Sequence, residues 1–259
     1  MRSTAMNAEN SGFAVNRVAV DAPWRWLGAG WRDMWAAPVQ SLGYGICVVG
    51  GGLIIVTALW RLNLSSLIPV ALGVFAIIGP LLALCLYELS RRLEAGEPPA
   101  LLPIKFAGPR SPIQVAYIGF FLLFAALVWL RVAIMLYALF SSANYVPMSE
   151  FARFVVSTPA GIFMLAIGTA VGGAIAFAIY TFTVISIPML MHERTDAFTA
   201  IASCINAIRT SPGAMLLWAW LIAVLTAAGV ATFFLGLALV FPLLGHATWH
   251  AYRDLRPKV

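Results

Sequence analysis

The sequence predicts an all-α membrane protein with six transmembrane helices, and three observations predict it. Its 259 residues are 62% hydrophobic and only 10% charged, whereas about a quarter of the residues in a soluble domain are charged. The apolar residues form continuous blocks, and a helix of ~20 apolar residues crosses the ~30 Å hydrocarbon core of a bilayer. The blocks are too continuous for the alternating strands of a membrane barrel. The basic residues flank the blocks in small groups, so the net charge of +6 indicates membrane topology and not nucleic-acid binding.

The six predicted spans cover residues 39–59, 67–87, 113–139, 161–187, 212–228 and 232–248. The last two divide an almost unbroken apolar run over residues 213–250, which is too long for one crossing at ~1.5 Å per residue. Gly229 is the only plausible turn residue between them. Residues 24–259 would then form a single transmembrane domain, preceded by a disordered or extended cytoplasmic segment over residues 1–23.

The distribution of Lys and Arg predicts that both chain ends are cytoplasmic. Six spans with a cytoplasmic N-terminus leave thirteen basic residues on that side and two, Arg61 and Arg153, on the other. Five spans would give ten against five. Because short cytoplasmic loops carry an excess of Lys and Arg, the count favours six spans.

Prolines recur at matching places along the spans. Each odd span begins near a proline, at Pro38, Pro112 and Pro212, and each even span contains one followed by two apolar residues, at Pro80, Pro188 and Pro242. The pattern predicts three hairpins of the same orientation, related by a pseudo-threefold axis along the membrane normal. The alternative is that prolines, which are common in membrane helices, coincide by chance.

Amphipathic segments precede the first and the last odd span. We expect both to lie flat in the cytoplasmic interface as helices. The first segment has apolar residues at helical spacing, at Trp24, Leu27, Gly28, Trp31 and Trp35; the second has them at Ala197, Ile201, Cys204, Ile205 and Ile208, after the capping candidates Thr195 and Asp196. Trp24, Trp31, Trp35 and Trp249 are the predicted interfacial anchors.

Several stretches together resemble a known bacterial family. They are Gly30–Met34 with Pro38 shortly after it, Ser186–Leu190, Ser211–Gly213 with Trp218, and the tail Gly245–Asp254. These resemble the integral membrane proteins grouped as domain of unknown function 2189, over nearly the whole chain and most specifically in the tail. The resemblance implies an inner-membrane protein of Gram-negative bacteria. Some members carry a respiratory-oxidase label, but this chain lacks the six-histidine haem–copper framework of a catalytic oxidase subunit, since it has three histidines.

His246 and His250 are the sharpest chemical signal. At positions i and i+4 of a helix they share a face, as two imidazoles must to bind one metal. His192 or Glu88 could supply a third ligand, because the repeat places them at the same membrane level. The alternative is that these histidines are ordinary interface residues.

Two further charged residues lie in or beside the predicted spans. Arg131 is the only basic residue well inside a span, so it either snorkels to the interface or meets a carbonyl or an anionic ligand. Glu88 lies near the cytoplasmic end of the second span, and we expect it to pair with Arg91 or Arg92 and not to transfer protons.

Glycines give two spans a face of small residues. Gly168, Gly172 and Gly173 in the fourth span, and Gly50–Gly52 in the first, predict close packing between helices. Packing within the protein is favoured over dimer contacts.

The sequence does not predict an enzyme. It has no Walker loop, dinucleotide fingerprint, nucleophile elbow or zincin motif, and its extramembrane segments are too short for a soluble catalytic domain. No cofactor is predicted, and the partners expected are the lipid bilayer and a larger inner-membrane complex. Three classes of function stay open: an accessory, assembly or scaffolding protein, including one associated with respiratory complexes; a small-solute or anion transporter using Arg131; and a haem or metal protein using His246 and His250.

Overall fold

The computed structural model describes residues 15–99, 110–140 and 148–257. Within these ranges the regular structure is entirely helical, as predicted. Eleven α-helices are described: α1 Ala22–Ala36, α2 Pro38–Arg61, α3 Ile68–Leu82, α4 Leu84–Glu94, α5 Pro112–Phe140, α6 Met148–Ser157, α7 Pro159–Thr183, α8 Ser186–His192, α9 Ala197–Thr210, α10 Pro212–Ala231 and α11 Leu237–Leu255. A short 3₁₀ turn, Ser65–Leu67, precedes α3.

Five helical segments are long and apolar enough to cross a membrane, and they correspond to the first five predicted spans. They are Pro38–Arg61, Ile68–Glu94, Pro112–Phe140, Pro159–His192 and Pro212–Ala231. The sixth predicted span is not among them within the described ranges. Its helix, α11, is apolar only over its first eight residues and then carries histidines and charged residues, whereas a crossing needs ~20 apolar residues. The sixth span therefore stays a prediction.

The helical segments of the second, fourth and sixth predicted spans each contain a proline, and the second and fourth are broken near it. The second span is divided into α3 and α4 three residues after Pro80, and the fourth is divided into α7 and α8 just before Pro188. Proline lacks an N–H and clashes with the carbonyl four residues earlier. This explains the break ahead of Pro188, where that carbonyl belongs to Val184, but not the break after Pro80. Pro242 lies inside α11.

The sequence predicted the turn between α10 and α11 at Gly229, but the structure has the turn elsewhere. It covers residues 232–236, where Phe233 and Phe234 have positive φ angles of 53° and 69°. The Thr232 hydroxyl donates to the Gly229 carbonyl and accepts from the Gly236 amide, both at 2.8 Å. Gly229 is buried inside α10, where a Cβ would lie 2.8 Å from Leu237 Cδ2. Glycine is needed there for close packing and not for the turn.

The chain divides into two compact units. The first contains residues 1–50, 80–118 and 180–259, and the second contains residues 51–79 and 119–179. In the first unit α11 packs along α1 and also contacts α4, α8 and α10. Its largest fully buried side chains include Trp218, Trp249 and Tyr252. In the second unit Trp129 of α5 reaches the glycines of α3 and α7. The predicted single domain over residues 24–259 stays a prediction.

Candidate functional site

Glycines allow α11 to approach its neighbours in the first unit closely enough to build a polar site. A Cβ at Gly30 of α1 would lie 2.6 Å from the Ala247 backbone nitrogen. One at Gly245 of α11 would lie 2.5 Å from Leu86 Cδ1 of α4, and one at Gly45 of α2 would collide with the Ala238 carbonyl oxygen. Separations this short leave no room for any side chain, so these close approaches depend on glycine. They bring α1, α2 and α4 against the face of α11 that carries the histidines.

Five side chains from these four helices form one hydrogen-bonded network, which we call the Asp33 network. It consists of Asp33, Ser41, Ser90, His246 and His250. Ser41 Oγ lies 3.0 Å from His246 Nε2, and Ser90 Oγ lies 2.7 Å from His246 Nδ1. Ser90 Oγ also lies 2.7 Å from Asp33 Oδ2, which is 2.8 Å from His250 Nε2.

The chemistry of the groups in the Asp33 network fixes the direction of its hydrogen bonds. An ionised carboxylate only accepts, so the single proton of Ser90 is donated to Asp33. Ser90 must then accept from His246, which assigns a proton to Nδ1 of that ring. Nε2 is left as the acceptor for the Ser41 hydroxyl. Three of the bonds therefore form a chain in one direction, from Ser41 through His246 and Ser90 to Asp33, and His250 Nε2–H donates to Asp33 separately.

Asp33 is the negative end of the network and is held ionised. Burial by itself would raise the pKa of this carboxyl. Hydrogen bonds from His250 and Ser90, with the attraction of the two imidazoles, outweigh that effect and hold the pKa below its ordinary value of 3.8. The side chains of His250 and Asp33 keep 25% and 18% of their exposure, whereas His246 is fully buried. The network thus runs from the interior of the first unit to its surface.

A second polar cluster fastens the last turns of α11 to α8. Tyr252 donates its hydroxyl proton to Glu193 at 2.7 Å, so it accepts from His192 Nδ1 at 2.9 Å. Arg256 pairs with the same Glu193 at 2.8 Å. Burial, and then the hydrogen bond to Glu193, raise the pKa of Tyr252 well above its ordinary range, so the phenol stays protonated and donates.

A third group of contacts joins α11 to the end of α4. Trp249 Nε1 donates to Glu94 at 3.1 Å, and Arg253 pairs with that carboxylate at 2.9 Å. Trp249 was predicted to be an interfacial anchor, but it is fully buried. The reason is that α4 and α8 cover this face of α11, which the tryptophan must therefore enter. Trp24, Trp31 and Trp35 are exposed by 56%, 45% and 51%.

The predicted metal ligands divide between the two histidine clusters. His246 and His250 reach the same network, whereas His192 is bonded to Tyr252. Both ring nitrogens of His246 face serine hydroxyls, which are not the ligands that zinc-like metals prefer. Across residues 15–99, 110–140 and 148–257, no group of three or more His, Cys, Asp or Glu side chains could hold a metal ion. The metal assignment stays a prediction.

The structure distinguishes the two predicted intramembrane charges. Glu88 pairs with both Arg91 and Arg92 at 2.8 Å, as expected. Arg131 is exposed on α5, and none of the ion pairs described for the chain includes it. Its partner, if it has one, is not an acidic side chain of the described residues.

The predicted packing glycines have different surroundings. A Cβ at Gly172 would lie 3.0 Å from the Trp129 ring, so this residue packs closely against α5 as expected. Gly168 has one ordinary contact, at 4.0 Å from Leu136 Cδ1. At Gly173 and Gly50–Gly52 a Cβ would meet no described atom within 4 Å. The close packing predicted at these last positions is not observed, because no described neighbour comes near them.

The sequence did not point to Asp33, Ser41 or Ser90 as site residues. Asp33 lies in the stretch Gly30–Met34 that carries the family resemblance, and this was the only signal that could have found it. Serines in apolar helices give no signal, since they often bond to the carbonyl one turn earlier in their own helix.

Comparison with known proteins gives one match. The family model described as "Predicted integral membrane protein (DUF2189)" matches residues 67–192. No curated protein and no solved structure matches the chain. The match is to the family that the sequence resembles, and of the stretches that carry the resemblance it covers only Ser186–Leu190. It includes Ser90 and His192, but not α1 or α11, so the predicted likeness over nearly the whole chain stays a prediction.

Proposed function

We propose that this chain, whose residues 67–192 match a family of predicted integral membrane proteins, is a non-catalytic accessory or scaffolding protein of the bacterial inner membrane. One observation carries the proposal. Each of the three histidines is hydrogen-bonded to a side chain on a different helix: His246 to Ser41 and Ser90, His250 to Asp33, and His192 to Tyr252. The three histidines therefore join helices through hydrogen bonds. Such bonds between helices are what a rigid scaffold requires.

The chain ends support six crossings with both termini on the cytoplasmic side. The Asn16 amide donates to the Leu255 carbonyl at 2.8 Å. The Asn16 side chain donates to the carbonyls of Asp254 and Arg256 at 3.3 and 3.2 Å. A chain whose first and last described segments are bonded side by side crosses a bilayer an even number of times. Together with the distribution of Lys and Arg, this favours α11 as the returning sixth span.

The exposure pattern of α1 supports an interfacial helix. Its buried face carries Trp26, Gly30 and Met34, and its exposed face carries Trp24, Trp31 and Trp35 with Arg25 and Arg32 nearby. Tryptophan prefers the headgroup level of a bilayer, and arginine is attracted to anionic lipids. In our proposal the exposed tryptophans of α1 lie among the headgroups on the cytoplasmic side.

The second amphipathic helix and the repeat belong to the same proposal. α9 begins at the capping residue Asp196, whose carboxylate accepts from the Thr199 amide at 2.9 Å, and Phe198 beside it is 86% exposed. The three hairpins would be α2 with α3, α5 with α7, and α10 with α11. Each returning segment contains a proline, at Pro80, Pro188 and Pro242, and this recurrence supports the arrangement.

Purification of the full-length protein from its native host in a mild detergent tests the accessory role. We expect it to migrate in native electrophoresis as part of a larger assembly, together with other inner-membrane proteins in constant ratio. Recovery of the chain alone, with no partner in constant ratio, would contradict the proposal. A Soret band or a metal in stoichiometric amount would instead identify a haem or metal protein.

Arg131 supports a second candidate, an anion transporter. It is exposed on a helix that can span the membrane, and a cation in hydrocarbon is costly unless it meets water or an anion. Anion flux into proteoliposomes that is lost in Arg131→Gln and kept in Arg131→Lys would favour transport over the accessory role. Equal behaviour of all three proteins would leave Arg131 as a snorkelling residue.

A further inference from the structure

The second unit contains a cavity of about 550 Å³. Three helices supply most of its lining, each with a single face, and α6 adds Val155. The residues from α5 lie at the i, i+4, i+7, i+8 spacing of one helix face: Trp129, Ala133, Leu136 and Tyr137. α3 lines it from Pro69 to Ile77 and α7 from Met164 to Ala176. Cavities that hold small ligands measure about 300–1,000 Å³, so this one is large enough for a ligand.

Trp129 holds the walls of the cavity apart. The Nε1 side of its indole would collide with a Cβ at Gly73 of α3, and the opposite edge of the ring would lie 3.0 Å from one at Gly172 of α7. The indole N–H donates to the Val70 carbonyl at 3.0 Å, which fixes the orientation of the ring. A rigid ring therefore extends from α3 to α7 and prevents these two helices from closing on each other.

The remaining small residues leave this space open. Seven of the nineteen lining residues are Gly or Ala. In a membrane protein such residues usually bring two helix backbones together. Here a Cβ at Gly168 would have only one contact at 4.0 Å, and one at Gly173 would meet no described atom within 4 Å. These glycines therefore create volume and do not close an interface.

The walls and length of the cavity indicate its occupant. The lining is mostly apolar. Its hydroxyl groups come from Ser66 just before α3, Tyr137 near the end of α5 and Thr169 on α7. From Met164 to Ala176 the wall runs for about 18 Å at ~1.5 Å per residue. One leaflet of a bilayer is half of the ~30 Å core, or about 15 Å. The cavity thus has the length and polarity of a single lipid chain.

We propose that this cavity binds one acyl chain of a phospholipid, with the glycerol end of the lipid towards Ser66 and Tyr137. An empty apolar space forfeits the dispersion contacts of its lining atoms. In helices that can cross a bilayer, the surrounding molecules that can restore these contacts are phospholipids. The proposal concerns the second unit and does not depend on the accessory role.

Photolabelling of the full-length protein tests the proposal. The protein is reconstituted in phospholipid vesicles that contain a phosphatidylcholine with a diazirine at the end of one acyl chain. After irradiation and digestion, we expect label on the lining positions of α7 farthest from Ser66 and Tyr137, such as Gly173 and Ala176, above the level on the exposed positions of α2. Label that is uniform over lipid-facing positions and absent from the lining would overturn the proposal.

Gly168→Leu and Gly173→Leu fill the cavity at positions where a Cβ has room. Both should fold and lose the label on α7. Gly51→Leu is the matched control, because Gly51 is exposed and a Cβ there would meet no described atom within 4 Å; it should be labelled like wild type. Two folded cavity variants with undiminished α7 label would show that the lipid does not occupy the cavity. If neither variant folds, native mass spectrometry of wild type decides: one retained phospholipid per chain supports the site, and none refutes it.

Discussion

Replacing Ser90 with alanine should destabilise the protein by about 2–4 kcal/mol, because its hydroxyl joins two buried polar groups. His246 is fully buried, and its Nδ1 proton would lose the acceptor that lies at 2.7 Å. A buried donor without a partner costs about 1–3 kcal/mol. Asp33 would lose one donor but keep His250. Since 18% of its side chain is exposed, the loss of this hydrogen bond should cost about 1 kcal/mol.

A double-mutant cycle separates this effect from a general loss of packing. Ser90→Ala, His246→Leu and the double variant are unfolded with sodium dodecyl sulfate in mixed micelles. The double variant should be less destabilised than the sum of the single variants by about 1–3 kcal/mol, because the second change removes the group that the first left unpaired. Ser157→Ala, an exposed serine, should stay within about 0.5 kcal/mol of wild type. Strict additivity of the two changes would refute the assigned bond between Ser90 and His246.

Three further predictions concern the packing of α7, the ionisation of Asp33 and the membrane topology. Gly172→Leu should cost about 1–3 kcal/mol through overpacking while Gly173→Leu costs little, and equal thermal unfolding of the two would contradict the difference in their surroundings. Because the Asp33 pKa is lower in the folded chain than its ordinary value of 3.8, its stabilising effect is present above that pH and is lost as the pH falls below it. Unfolding measured from pH 6 to about pH 2 should therefore show a steeper loss for wild type than for Asp33→Asn, and parallel curves would count against the pairing. A topology reporter fused after Asn63 should report the periplasm and one fused after Pro257 the cytoplasm; a periplasmic result at Pro257 would remove the sixth span.

Hydropathy predicts the membrane helices because it is a local property of the chain. The first five spans are found within seven residues of their predicted bounds, and the capping residue Asp196 was also identified. The turn after α10 was misplaced for a reason that lies outside the local sequence. Gly229 is required by the packing of Leu237 against it. In the sequence, a glycine required by such a contact cannot be distinguished from a glycine in a turn.

The candidate site was only half predictable, for the same reason. The spacing of His246 and His250 is local, and both do reach the same network. Their partners are remote, since His250 and Asp33 are separated by 217 residues along the chain. Which serine or carboxylate meets a given imidazole is decided by the helix packing that the glycines of α1, α2 and α11 permit. A single sequence gives no measure of that packing.

The match to the family and the Asp33 network together limit what residues 67–192 can do without the rest of the chain. This segment contains Ser90 and His192, but Asp33, His246 and Tyr252, with which they bond, lie on α1 and α11. Without these helices the two polar side chains would lose their partners, and the apolar face that α11 covers on α4 and α8 would be exposed. We therefore expect that residues 67–192 do not fold stably without α1 and the tail Gly245–Asp254.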